Sequence, residues 1–166
     1  MMREVDERGE QFESAVFDRS PRSEAQRYAV AKLNRALCRG IGPGYIVRIH
    51  EAVAIPGWLG AEALEIDVAV IADKFYRPLP TAADALVFVE VADATYEKVR
   101  GQKIPLYVAA GVPSWIVNIG SRQVESYQSK ADLELPNGTS YNENDAMALL
   151  GLSIPVAFLF DVIARQ

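Results

Sequence analysis

Two charged residues interrupt elements that are otherwise built for burial. Residues 86–92 read LVFVEVA, a β-branched run suited to a central strand with both faces covered, and Glu90 stands inside it. Side chains alternate along a strand, so Glu90 shares its face with Leu86, Phe88 and Ala92. Beyond it, a helical stripe runs through Tyr96, Val99, Leu106, Tyr107 and Ala110. Three-and-four spacing requires one more member between Val99 and Tyr107, and Lys103 takes that place. A second carboxylate, Asp67 in LEIDVAVIA (64–72), shares a strand face with Glu65, Ala69 and Ile71. If the two strands pair antiparallel, Asp67 and Glu90 approach one point, and the connection of residues 73–85 permits that pairing.

Carboxylates in apolar surroundings are costly unless paired or bound to a cation. Lys103 can snorkel to water along its long stem, or it can aim at the carboxylates. In the second case the three residues have a specific use. Two carboxylates hold a divalent metal, usually magnesium, through hard oxygen ligands. The metal polarises a scissile phosphate and lowers the pKa of a bound water. The lysine orients or deprotonates that water, or neutralises charge building on the phosphate. This is the logic of metal-dependent phosphodiester hydrolysis.

The surrounding pattern supplies elements to carry these residues. Ser20-Pro21 and a Ser23/Gln26 capping box open a helix that Gly40 ends, with Ala25, Ala29, Leu33, Ala36 and Leu37 at helical spacing. Strands are expected at 45–55, 64–72 and 86–92, with a turn around Pro56 and Gly57. A helix over 95–110 follows, capped by Asp93 or Thr95, stopped by Gly111, and kinked or split by Pro105. SWIVNIG and QVESYQ form a strand and its hairpin return. An Asn137-Gly138 turn lies between weak strands, and SIPVAFLFDVIARQ closes the chain as a short helix. A helix between a central strand and the next strand makes a βαβ-like crossover, so the coarse fold is α/β with a mixed sheet.

The 166 residues suit one domain over 20–166, preceded by a charge-rich segment, 1–19, from which Phe12, Val16 and Phe17 could dock. Half of the residues are apolar and 23% are charged, which excludes global disorder. A net charge of −5 argues against a uniformly basic nucleic-acid binder, but not against an enzyme with an acidic metal site. Cys38, the single cysteine, permits no internal disulfide and is expected as core filler. With no apolar leader and no membrane-length run, a cytoplasmic protein is expected. His50, the single histidine, lies in an expected strand and is read as structural.

IDVAVI, LVFVEVADAT, GQKIPLYVAAGVPSWIVNI and VESYQ together resemble the Uma-type family of restriction endonucleases. That resemblance is strongest over residues 64–128 and weaker at the first helix and at LLGLSIPVAFLF. It implies a restriction-endonuclease-like, PD-(D/E)XK-type fold: a mixed central sheet flanked by helices, an αβββαβ core, and extra C-terminal strands. Carried over by position, it implies Asp67 and Glu90 as the magnesium (or manganese) carboxylates, and Lys103 as a catalytic lysine moved from the strand onto the following helix. Ala92 stands where the superfamily's usual lysine would be. It further implies DNA as substrate; cutting both strands would call for a homodimer, and the lack of a membrane-length apolar run predicts no membrane partner. Glu24 could add a helix-borne carboxylate. The chain departs from the family pattern in having Ile66 before the aspartate, Val99 four residues before the lysine, and Gln26 in place of a helix histidine. Those departures favour an alternative, a catalytically impaired nuclease fold serving as a nucleic-acid or protein binding module.

Overall fold

The computed structural model describes residues 4–5, 11–12, 21–56, 63–134 and 138–163. Helix α1 (Glu24–Gly40) starts at the expected capping box: Gln26 N–H donates to Ser23 Oγ at 3.1 Å, and Ser23 N–H to Gln26 Oε1 at 2.8 Å. The N-cap is thus Ser23 rather than Ser20. The helix buries Ala29, Val30, Leu33 and Leu37. At its far end Gly40 lies against Leu152, where an added Cβ would meet that side chain at 2.4 Å.

Short strands β1 (Glu4–Val5) and β2 (Gln11–Phe12) pair with each other. The expected docking of Val16 and Phe17 lies outside the described residues. The main sheet has six strands: β3 (Tyr45–Val53), β4 (Leu64–Ala72), β5 (Ala85–Ala92), β6 (Ser114–Asn118), β7 (Gln123–Tyr127) and β8 (Thr139–Tyr141). They lie in the order β3-β4-β5-β6-β7-β8, with β5–β6 parallel and every other pair antiparallel. The one parallel step needs a crossover, and the segment between β5 and β6 provides it. The helix–strand–strand–strand–helix–strand order and mixed sheet are those expected.

The sheet separates two apolar layers. Val68, Val70, Val87, Val89, Val91 and Trp115 pack under α1 and under α4 (Val156–Phe160). Ala69, Ile71, Phe88, Ala92 and Ile116 pack under the crossover, with Ile104 and Tyr107. β5 is therefore covered on both faces, as its composition implies.

The crossover is not one helix. It runs as α2 (Tyr96–Lys98), a π-helical turn over Val99–Lys103, and α3 (Ile104–Ala109). In the wide turn Ile104 N–H reaches back five residues to the Val99 carbonyl. Pro105 follows at once; it has no N–H to give, so the irregular turn falls where the α-ladder would lose a bond anyway.

The C-terminal part departs further from expectation. A 3₁₀ turn (Lys130–Leu133) precedes β8, and the Asn137-Gly138 turn falls partly outside the described residues. β9 (Ala146–Leu149) and β10 (Leu152–Pro155) form a hairpin before α4; extra C-terminal strands were expected, but residues 153–155 were read as the start of the closing helix. The hairpin's turn places both Leu150 (φ 51°) and Gly151 (φ 78°) in the left-handed region, which two-residue hairpins demand. Arg122 ties this end down, donating to the carbonyls of Phe160 and Ile163 at 3.1 Å each. Cys38 is exposed rather than core filler. No helix among the described residues is long and apolar enough to cross a membrane.

One buried carboxylate anchors the crossover. Glu125 on β7 lies in the cross-strand row of Glu90 and Ile116. It accepts from Tyr96 Oη at 2.7 Å and Tyr127 Oη at 2.8 Å, with Arg100 close to the same group. Tyr96 and Arg100 belong to the crossover, so this contact fixes the segment carrying Lys103 to the sheet. Glu125→Ala would leave two phenolic hydroxyls without their acceptor. It should cost about 2–4 kcal/mol in urea unfolding, and Glu125→Gln distinctly less, because an acceptor oxygen remains.

Candidate active site

The β4–β5 ladder positions the two strand carboxylates. Its register is Val68↔Val89, Ala69↔Phe88 and Val70↔Val87, and continued by one residue it sets Asp67 opposite Glu90. The backbone ladder stops at Val68, however. Asp67 Oδ2 accepts Val91 N–H at 2.8 Å, so a side chain takes a donor that the next strand carbonyl would otherwise use.

Opposite Asp67, on β3, the backbone of His50 has φ 53°, a left-handed conformation that costs a histidine roughly 1–2 kcal/mol. This residue marks a change of face. Strict alternation would keep Leu64, Ile66, Val68 and Val70 on one side of β4. Yet Val68 and Val70 belong to the layer under α1, and Leu64 and Ile66 to the layer under the crossover. The inversion brackets Asp67 and brings the His50 ring beside it. His50 Nδ1 lies 3.3 Å from Asp67 Oδ1. Nδ1 is buried and makes no hydrogen bond of regular geometry among the described residues.

Lys103 points inward. Its Nζ donates to Glu90 Oε1 at 3.1 Å and to the Glu65 carbonyl at 2.9 Å, and its side chain is 13% exposed. Snorkelling to water is therefore not what this lysine does. Tyr107, one helical turn on, donates to the same Glu90 oxygen at 2.6 Å. The π turn brings both residues over one carboxylate. From the other side of the sheet, Gln26 Nε2 donates to the Val91 carbonyl at 3.1 Å. Arg22, just before the N-cap, sets Nη2 and Nε 3.3 and 3.4 Å from Asp67 Oδ1 and pairs with the Glu65 carboxylate.

The two central carboxyls differ sharply in proton affinity. Complete burial is the main cause that pushes Glu90 up, to about 8; the Asp67 charge adds to it, and Lys103 and Tyr107 oppose it. Burial pushes Asp67 up as well. The His50 contact, the Lys103 charge, the Val91 N–H and a hydrogen bond with Glu90 outweigh it and hold Asp67 down at about 2. The pair thus keeps one proton near neutrality, housed on Glu90, as expected for adjacent carboxyls that cannot both ionise cheaply.

The donor set suits a hard divalent cation. His50, Glu65 and Asp67 each offer a ligand atom, all within 4.8 Å of one another. His50 Nδ1 faces Asp67 Oδ1, where it can pair with that carboxylate or offer its lone pair to a metal beside it.

Of the residues expected from sequence, Asp67, Glu90 and Lys103 converge. Glu24 does not join them: it is exposed, and its carboxylate is engaged by Arg27 at 2.9 Å. His50, expected to be structural, lies at the centre. Arg22 and Tyr107 also belong to the site. Tyr107 had a usable signal, since it is one turn from Lys103 on the same stripe; Arg22 and His50 had none.

Residues 7–158 match the Uma2 family, described as "Putative restriction endonuclease", and the chain belongs to that family. A crystal structure from Anabaena variabilis, described as "a putative nuclease belonging to DUF820", aligns with a TM-score of 0.68. The alignment covers 90% of this chain and 88% of that one at 12% identity, so the likeness is one of fold. No curated protein matches the chain.

A pH test follows from the Glu90 proton. Its folded-state pKa lies above the ordinary carboxylate value, so the stability linked to it is fully present below about pH 4.5 and is lost as pH rises through about 8. Asp67 has the opposite sign, and its contribution is lost as pH falls from about 3.8 toward 2. In metal-free buffer, thermal unfolding should therefore drop between pH 5 and 8.5, and Glu90→Gln should flatten that decline.

Proposed function

We propose that the protein is a divalent-metal-dependent endonuclease that hydrolyses DNA phosphodiester bonds. The observation that carries this reading is that Lys103, from a separate element, donates directly to Glu90, which faces Asp67 across the β4–β5 pair.

Asp67 would hold magnesium or manganese together with His50 and Glu65, whose ligand atoms gather with its own, and Glu90 would join from the facing strand once its proton is lost. These ligands leave positions for water and phosphate oxygens. When bound, the metal would supply a polarised phosphate and a water of lowered pKa. The other roles belong to the chain itself. Asp67 is ionised at neutral pH and ready to coordinate. Glu90 must give up its proton first, which links metal affinity to pH. Tyr107 and Lys103 hold the Glu90 rotamer by their shared oxygen. Lys103 is the cation best placed to orient the attacking water or to offset charge on the phosphate. Cutting both strands of DNA calls for two copies of the site about a two-fold axis.

A non-catalytic binding module is the competing reading. Its support is that Val99 is buried in the π turn and that Gln26 is used by the helix cap and the Val91 carbonyl. Neither supplies the ionisable group that the family pattern has there.

Two measurements separate these readings. With magnesium or manganese, purified protein should cleave plasmid DNA, and Lys103→Ala should slow it on the order of 100-fold or more. Thermal stability of that variant should fall by only about 1–2 kcal/mol, because Glu90 can stay protonated when the lysine is gone. Manganese titration followed by calorimetry should show binding that Glu90→Gln abolishes. Intact DNA in both metals would sink the catalytic reading.

A further inference from the structure

The Glu65 and Asp67 carboxylates already hold a cation of the protein's own. We propose that Arg22 is the resident counter-ion of the metal-free site and that a divalent metal must displace it to bind. This rests on the metal-site reading above and adds a component to it.

The geometry carries the argument. The Arg22 guanidinium lies on both carboxylates, with Nη2 shared between them and Nε also facing Asp67. These are two of the three groups whose ligand atoms gather within 4.8 Å. A metal drawn to that gathering meets a positive charge already paired with the same two carboxylates. Asp67 cannot satisfy both fully: an oxygen directed at the guanidinium is turned from a metal, and two cations a few ångströms apart repel. Lys103 does not relieve the conflict, because it is committed to Glu90 and the Glu65 carbonyl.

Arg22 is also built to leave. Its backbone is fixed, since Arg27 Nη1 donates to the Arg22 carbonyl at 3.0 Å and the next residue is the N-cap. Its side chain is about one-third exposed, so the guanidinium can swing out without disturbing the core. Once released at the rim it would have a fork of donors suited to a phosphate. A substrate phosphate would thus draw Arg22 outward and ease metal entry, which couples the two binding events.

The test is manganese affinity without nucleic acid, by calorimetry and paramagnetic water relaxation, on wild type, Arg22→Gln, Arg22→Lys and Arg77→Gln. Arg77 is exposed and stacked over Phe75, so its loss changes net charge equally, away from the site. Arg22→Gln should bind manganese about tenfold more tightly, within the usual range of site–site coupling. Arg22→Lys should fall between it and wild type, and Arg77→Gln should match wild type. Arg22→Lys also provides the answer should the glutamine variant fold poorly in a thermal melt. Equal or weaker binding by folded Arg22 variants would overturn the proposal while leaving the metal site standing. Tighter binding by Arg77→Gln to the same degree would overturn it as a bulk charge effect. Absence of manganese binding in every protein would overturn it together with the metal reading.

Discussion

The structure depends on keeping Glu90 buried. A carboxyl group in the middle of a fully covered strand is tolerable only if its oxygens are met and its charge is managed, and most features of the site answer that requirement. Tyr107 and Lys103 meet one oxygen, and Asp67 stands opposite, held in its ionised form by the Val91 N–H and its cationic neighbours. The proton that burial forces onto Glu90 is then the natural resting state of a site without metal. The polar cluster around Glu125 does related work two strands away. It secures the crossover, so that Lys103 arrives over Glu90 instead of on the far side of a sliding helix.

Local irregularity concentrates around the Asp67–Glu90–Lys103 cluster. The β4–β5 ladder stops at Asp67, β3 takes a left-handed residue beside it, and the crossover widens into a π turn ending on Lys103. Each departs from the cheapest local geometry, and each turns a side chain that regular structure would have aimed elsewhere. The regular parts of the same elements fill two apolar layers, which supply the stability to hold these departures.

Much of this was legible in the sequence because it rests on periodicity and chemical mismatch. Strand β4 has the expected bounds, the Ser23/Gln26 box caps α1, and the apolar run with one acid is a central strand. Lys103 was visible as the wrong residue on an apolar stripe. What was not legible has a different origin. Alternation encodes faces but not a face inversion, so His50 looked like an ordinary strand residue. Arg22 joins the site by the reach of a long side chain across 45 positions, which spacing does not record. The β9–β10 hairpin turns at Leu150-Gly151 without an asparagine or aspartate to announce it, and Glu24 was a plausible acid that its neighbour Arg27 claims.

The separations along the chain between the partners imply an order of assembly. Lys103 meets Glu90 across 13 residues, Tyr107 across 17, Val91 meets Asp67 across 24, and Arg22 reaches Asp67 across 45. Closing the longest of these loops costs only about 1 kcal/mol more than closing the shortest, but the search is slower. The lysine–glutamate contact closes the smallest of these loops, which therefore favours its early formation. The guanidinium contact closes the largest, which favours its later formation. The short loops thus tie the crossover to the sheet, and the long one ties the segment before α1 to the same cluster.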